Sequence, residues 1–295
     1  MLSILIPTYN YDCSRLVIDL HQQAQQLGVP YEIIVADDAS PESAYRKSHG
    51  AFTHLTHCRL IQLSENVGRA RIRNLLAREA QHEWILFMDA DAQVITPTFL
   101  TDYLRHAIEG TDVICGGLCH ADTLPSPEVS LRYTYERRAD KRRAAHYRSQ
   151  HPYERFTPFN FMVRRTAFLA IGFCEAITDY GHEDTLFGIA LAERHVPLLH
   201  IDNPLLRLGL EPNEVFLRKS RAALRNLAMM ESSLEGHSSL IRAYRLLSRL
   251  GMSKLAARLF TSRETALTNH LCGARPCLSL FFLYKLGYYC KVKHA

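Results

Sequence analysis

Residues 84–94 read WILFMDADAQV. Five apolar residues in a row, followed at once by acids, describe a strand buried on both faces that ends at a polar rim. Such strands belong to sheets covered by helices on both sides, so strand and helix should alternate around this segment. Upstream they do. Residues 2–7 (LSILIP) form an apolar run that stops at Pro7, and residues 15–27 space Leu16, Leu20, Ala24 and Leu27 helically before Gly28 and Pro30. Residues 32–36 (EIIVA) give a second buried strand ending at Asp37-Asp38, and residues 59–63 give a third. A helix with Ile72, Leu75, Leu76 and Ala80 on one face follows, and residues 112–116 read as a fifth strand. The pattern predicts an α/β fold with a mainly parallel central sheet.

Beyond Gly117 the pattern loosens. Residues 130–149 predict one charged helix, 159–164 a strand and 198–201 a short strand, with a helix following Asp184. After residue 213 only helical patterns remain, broken at Gly236, Gly251 and residues 273–276. The expected organisation is a catalytic domain over 1–212 and a basic helical extension over 213–295. Charge supports the division. The first part holds 21 Lys/Arg against 26 Asp/Glu, a net of −5, and the second 14 against 4, a net of +10. So one-sided a tail suits an anionic surface, a membrane or a nucleic acid, or else a set of solvated helices.

Of 295 residues, 47% are apolar and 22% charged, which excludes a disordered chain. None of the eight cysteines forms a CxxC pair, so buried free thiols in a reducing compartment are expected rather than disulfides or a zinc site. Residues 1–9 lack a basic leader, and residues 278–290 are too short and too charged to span a bilayer. The expected location is the cytoplasm, peripheral to the inner face of the cell membrane.

Polar residues gather where the predicted strands end, which is where open α/β sheets bind ligands. Thr8-Tyr9-Asn10 follows the first strand, Asp37-Asp38 the second and Asp89-Ala90-Asp91 the fourth. Carboxylates at i and i+2 of an extended segment point the same way and can share Mn²⁺ or Mg²⁺, which grips phosphate oxygens. In SENVGRARIRN, Gly68 opens a helix whose N-terminus favours phosphate, and Arg69 and Arg73 share a face at i and i+4. In YGHEDTLFGIAL, Glu183 and Asp184 precede an apolar helix. One acid suffices to cap it, and a second could act as a general base toward a hydroxyl.

LSILIPTYN, EIIVADDAS, NVGRARIRN, LFMDADA and GHED, in this order and at these separations, resemble family 2 glycosyltransferases of the GT-A fold, nearest to bacterial members that build surface polysaccharides. The resemblance covers residues 1–227. It implies an inverting transferase that moves a sugar from a nucleotide-sugar donor, usually UDP-linked, to a hydroxyl of a glycan or lipid-linked acceptor. Pro7, Thr8, Tyr9 and Asp38 would then hold the nucleotide, with Gly68, Arg69, Arg73 and Asp89 completing its site. Asp91 matches the metal ligand, Asp184 the catalytic base, and Glu183 a contact to a sugar.

One position departs from the pattern. Where similar sequences carry a late His before LGLE, this chain has Arg207, which could meet the diphosphate itself, while His200 lies upstream. Asn160, beside the 159–164 strand, is a candidate acceptor contact. Residues 278–289 read either as an interfacial helix on anionic lipid or as a helix packed on the catalytic domain. A non-enzymatic phosphoacceptor or nucleotide-responsive signalling module is the alternative class, but its acidic pair would end the first strand rather than the second. Nucleic acid is not an expected partner, because it would leave the strand-end carboxylates unexplained.

Overall fold

Each apolar run becomes a strand: β1 (Leu2–Thr8), β2 (Tyr31–Asp37), β3 (Cys58–Gln62) and β4 (Trp84–Met88), with helices α1 (Ser14–Gln25) and α2 (Arg69–Glu79) between them. The computed structural model describes residues 1–41, 45, 48–176 and 181–294. Its contacts divide the chain into two units. One comprises Met1–His120, Arg142–Ala176 and Phe187–Gly209; the other comprises Ala121–Lys141, Ile177–Leu186 and Leu210–Ala295. Two earlier segments thus cluster with the helical tail.

The first unit continues through β5 (Ala92–Gln93), α3 (Phe99–Arg105), β6 (Val113–Cys115) and β7 (Leu118–Cys119). The expected helix over 130–149 is two helices, α4 (Ser130–Asp140) in the second unit and α5 (Ala145–Arg148) in the first. Then come β8 (Asn160–Arg164), α6 (Arg165–Ile171), α7 (Glu183–Glu193), β9 (Leu198–His200) and β10 (Leu205–Arg207).

Seven strands form one sheet in the order β3-β2-β1-β4-β8-β6-β9. All run parallel except β8, which is antiparallel to both β4 and β6. The chain steps outward from β1 through β2 to β3, then returns to lay β4 on the other side of β1. That reversal opens a crevice at the carboxyl ends of β1 and β4, where such sheets take their ligands. Three short strands form a second sheet, β5-β10-β7, in which Arg207 pairs with Ala92.

Both faces of the large sheet are covered, as continuous apolar strands require. On one face Ile4, Ile6, Ile33 and Leu86 pack with Leu16, Val17 and Leu20 of α1 and Phe99 and Tyr103 of α3. On the other, Leu5, Ile34 and Phe87 pack with Ile72 and Leu76 of α2, and with Phe168, Phe187 and Leu191. Phe87 and Phe161 stack at 5.1 Å, as do Phe173 and Phe187 at 4.6 Å; such ring pairs add roughly 0.5–1.5 kcal/mol each beyond area burial.

The second unit is helical: α4, then α8 (Asn213–Met229), α9 (Ser239–Arg249), α10 (Ser253–Cys272) and α11 (Leu278–Lys293). Leu131, Phe216, Leu217, Phe260, Leu271, Phe281 and Tyr284 form its core. Among residues 278–289, Phe281, Tyr284 and Tyr289 are buried, whereas Phe282 and Leu283 are 42% and 56% exposed. Gly287 lies against Phe260 so closely that a Cβ there would meet its ring carbons at 2.7 Å. Among the described residues, no helix is long and apolar enough to cross a membrane. Cys13, Cys115 and Cys290 are buried thiols, whereas Cys174 and Cys277 are exposed, and none of the eight is in a disulfide.

Candidate active site

The crevice is assembled by a chain of short contacts. Thr8 ends β1, and its buried hydroxyl donates to the Tyr11 carbonyl at 3.0 Å. Pro7 is half-buried within β1, and Tyr9 stands half exposed at the rim. The Asp38 amide donates to the Thr8 carbonyl at 2.9 Å. Its carboxylate accepts the amides of Val67 at 2.7 Å and Gly68 at 3.1 Å. Burial pushes the Asp38 carboxyl above its ordinary range, and those two amides hold it back. Asp38 thus ties the Asn66-Val67-Gly68 loop to the ends of β1 and β2, using one acceptor position on each carboxylate oxygen. Gly68 takes φ +85° at the mouth of α2, a region that glycine enters without strain.

From α2 the contacts run to β4. Arg73 is 2% exposed and donates to Asp89 Oδ1 at 2.6 Å. Arg69, one turn earlier, is exposed. The two arginines share a helix face by spacing, yet only Arg69 stands in solvent; Arg73 is spent on holding a carboxylate. Burial alone would raise Asp89, but Arg73, Arg69 and Arg207 together outweigh it and hold the carboxyl below its usual range.

Arg207 reaches the same place through the small sheet. Its pairing with Ala92 sets its guanidinium 3.8 Å from both Asp89 and Asp91, stacked over the Phe159 ring at 4.3 Å. The Leu208 amide donates to the Asp91 carbonyl at 2.8 Å. Gly209 then passes so near Asp91 that a Cβ would lie 2.7 Å from Oδ2 and 2.8 Å from Cβ of that residue. Two carboxylates and two guanidiniums are therefore locked together at the carboxyl end of β4.

Could this cluster hold the divalent cation that the sequence suggests? Among the described residues there is no group of three or more His, Cys, Asp or Glu fit to hold one. Asp89 is committed to Arg73, which leaves Asp91 as the carboxylate for a hard cation. Mg²⁺ is commonly held by one or two carboxylates together with substrate phosphates and waters, so the residues fit a cation carried largely by the donor diphosphate.

His200 is not part of this cluster. It is buried, accepts from Arg148 Nη1 at 2.6 Å, and donates through Nε2 to the Pro152 carbonyl at 2.9 Å. Burial, reinforced by the Arg148 charge, lowers its pKa to about 4, so it is neutral. Arg148 is itself 5% exposed and donates to the carbonyls of Cys115, Gly116 and Ile201 at 3.0, 3.2 and 2.7 Å. It fastens the ends of β6 and β9, from which β7 and β10 continue. Its place in a run of cations, YTYERRADKRRAAHYR, gave no sign that one of them is a buried clasp.

Asn160 opens β8. It is fully buried; its amide donates to the Gly117 and Asn203 carbonyls at 3.0 and 2.9 Å, and its oxygen accepts from Tyr103 Oη at 2.7 Å. Closed in by protein partners, it braces the β6–β7 turn.

Within the helical unit, the GHED segment is built against α8. Gly181 has φ +111°, and a Cβ there would come within 2.6 Å of Ala223 Cβ. His182, at φ +72°, is paired through Nε2 with the Ala223 carbonyl at 3.1 Å. Glu183 is buried and accepts the Gly181 amide at 3.2 Å. Asp184 Oδ1 accepts from the Thr185 amide at 2.7 Å. Burial and then the neighbouring Glu183 charge push the Asp184 carboxyl up, against the Thr185 amide and His182, which lower it. A carboxylate that is raised yet oriented has the properties of a general base.

A mainly parallel sheet with acids and arginines at its strand ends defines an α/β protein whose crevice lies at the carboxyl ends of β1 and β4. The sequence model of glycosyl transferase family 2 matches residues 3–172, and the chain belongs to that family. An uncharacterized glycosyltransferase of Haemophilus influenzae is 33% identical over 91 residues, which span 31% of this chain and 29% of that relative. The fold matches a mannosyltransferase of Pyrobaculum calidifontis, solved with GDP-Man and Mn²⁺, at a TM-score of 0.57 and 16% identity, covering 99% of this chain and 85% of the other. It also matches Staphylococcus aureus TarS (residues 1–349) at a TM-score of 0.51 and 17% identity, covering 89% and 73%. The fold is thus the GT-A fold.

Proposed function

We propose that the protein is an inverting transferase that moves a sugar from a UDP-linked donor to a hydroxyl of a glycan or lipid-linked acceptor, in the building of cell-surface polysaccharide. The catalytic region is 1–212, with 213–295 as a helical extension that meets the anionic inner face of the cell membrane. The observation that carries the reading is the linked set Thr8–Asp38–Gly68 and Arg73–Asp89–Arg207–Asp91, which joins the ends of β1, β2, β4 and β10 with α2. The base and ribose lie against Thr8, Tyr9 and Asp38, and the diphosphate lies near Gly68, Arg69 and Arg207.

In the reaction the acceptor oxygen attacks the anomeric carbon from the face opposite the diphosphate, and the anomeric C–O bond breaks with its electron pair leaving on the diphosphate. Asp184 takes the proton from the attacking hydroxyl, and Glu183 contacts the sugar. Arg207 neutralises charge growing on the leaving group. A divalent cation, when bound at Asp91, supplies further charge neutralisation to the diphosphate. Because Arg207 stands beside both carboxylates, the chain carries part of that charge itself.

The test is calorimetric titration of the full chain with UDP, GDP and dTDP, each with Mn²⁺ and with EDTA. Binding of UDP that strengthens with Mn²⁺ supports the donor class and the role of Asp91. UDP binding indifferent to EDTA assigns the diphosphate to Arg207 instead. Preference for GDP or dTDP overturns the UDP assignment, and binding of none of the three overturns the donor site.

A further inference from the structure

The cations of the helical unit are unevenly used. Three of the four acids beyond residue 213 are paired: Glu231 with Lys293 at 2.9 Å and Arg245 at 3.3 Å, Glu264 with Lys291 at 2.7 Å and Arg221 at 3.3 Å, and Glu235 with Arg245. By contrast, residues 236–263 contain no Asp or Glu at all. Within that stretch Arg242, Arg249, Lys254, Arg258 and Arg263 are exposed.

The same stretch also exposes apolar side chains. It is a helix–turn–helix, α9 and α10, turning at Gly251 with φ +70°. Leu246, Leu250, Met252, Leu255 and Leu259 around that turn are 59, 62, 46, 53 and 58% exposed. They are not needed by the core. On α9 the buried positions are Leu240 and Ile241, with Tyr244 against the Tyr289 ring at 5.1 Å; on α10 they include Ala257 and Phe260. Leu255 and Leu259 form one i, i+4 row on α10, and Lys254 and Arg258 form the row beside it. On α9 Leu246 lies between Arg242 and Arg249 in one i, i+4, i+7 stripe.

We infer that the tip of the α9–α10 hairpin, centred on Leu250, Met252 and Leu255, is the surface by which this chain lies on anionic lipid. The inference rests on the membrane reading above and moves the contact from residues 278–289, where Phe281, Tyr284 and Tyr289 are buried and Phe282 and Leu283 are exposed, to residues 242–259. The charge commits the occupant. A tip with cations of one sign, no carboxylate, and leucines and a methionine in place of aromatic anchors fits a negatively charged apolar interface. A protein partner of mixed charge would ordinarily be met by both signs.

The test is sedimentation of the full chain with vesicles of phosphatidylcholine alone and of phosphatidylcholine with one quarter phosphatidylglycerol. The expected result is binding to the anionic vesicles only, weakened several-fold between 50 and 300 mM salt. The double variant L250D/L255D should lower it at least tenfold, with unchanged circular dichroism and UDP binding. A second variant, R249Q/R258Q, which leaves every apolar side chain in place, should lower binding several-fold and flatten its salt dependence. Wild-type binding that both variants retain overturns the hairpin assignment and leaves the membrane reading standing. No vesicle binding by a wild-type chain that still binds UDP overturns both while sparing the transferase. A dimer in velocity sedimentation that L250D/L255D dissolves, without vesicle binding, identifies a second copy as the occupant and overturns the inference.

Discussion

Arg73 on α2 and Asp89 at the end of β4 meet at 2.6 Å, with the guanidinium 2% exposed. The pair sits beneath Asp91 and Arg207, so the charges that would face a donor diphosphate stand on a buried ion pair. Removing one partner of such a pair leaves an uncompensated buried charge. Arg73→Met should cost about 3–5 kcal/mol in urea denaturation. Arg73→Met combined with Asp89→Asn should recover a large part of that stability without recovering UDP binding. Equal stabilities for the single and double variants would show that the ion pair is not what anchors α2 to β4.

Gly209 sets the position of Asp91. Alanine there would place its Cβ 2.7 Å from Asp91 Oδ2, and the carboxylate must move. Displacements on the order of 1 Å at a site can cost ~100-fold in activity. Gly209→Ala should therefore weaken Mn²⁺-dependent UDP binding by about tenfold or more, with little change in melting temperature. Unchanged titration curves would remove Asp91 from the donor site.

Asp184 gives a pH signature with a definite sign. Its carboxyl is raised first by burial and then by Glu183. The acid limb of kcat/KM should lie above the ordinary carboxylate range, and Glu183→Gln should move it to lower pH. A group whose folded pKa exceeds its unfolded value binds more protons when folded, so its contribution to stability is complete at low pH and lost as pH rises through the folded value. Asp184→Asn should therefore abolish transfer, keep UDP binding, and stabilise the chain at neutral pH but not at pH 3. Turnover by Asp184→Asn near the wild-type rate would end the base assignment.

Gly116 tests the brace around Asn160. A Cβ there would lie 2.5 Å from the Asn203 carbonyl and from Tyr103 Oη, and 2.6 Å from Asn160 Nδ2. Overpacking costs about 1–3 kcal/mol, and breaking the hydrogen bonds of the buried Tyr103 and Asn160 adds roughly 1–3 kcal/mol more. Gly116→Ala should lose stability on that scale, measured by urea denaturation, and Asn160→Ala should do the same rather than change acceptor affinity selectively. A stable Asn160→Ala with a raised acceptor KM would restore Asn160 as an acceptor contact.

What the sequence determined by itself was whatever periodicity and strand-end chemistry encode. A run such as WILFM can be satisfied only by burial on both faces, so the order of residues alone carried the alternation of strands and helices, the parallel sheet and the polar rim at Thr8, Asp38 and Asp89. The order of the motifs likewise carried the family. Tertiary structure decided what each polar residue faces. Arg69 and Arg73 are equivalent by helical spacing, yet one is exposed and the other buried on Asp89, because only packing against β4 distinguishes them. Arg148, one of a run of cations in the sequence, is an interior brace, and Asn160 is buried beside it. Residues 278–289 read as interface or as packed helix, and Phe260 and Leu271 supply the partners that bury Phe281 and Tyr284 while Phe282 stays exposed. Composition records how much apolar and charged surface a chain owns; which part is left facing water is fixed only when long-range neighbours take the rest.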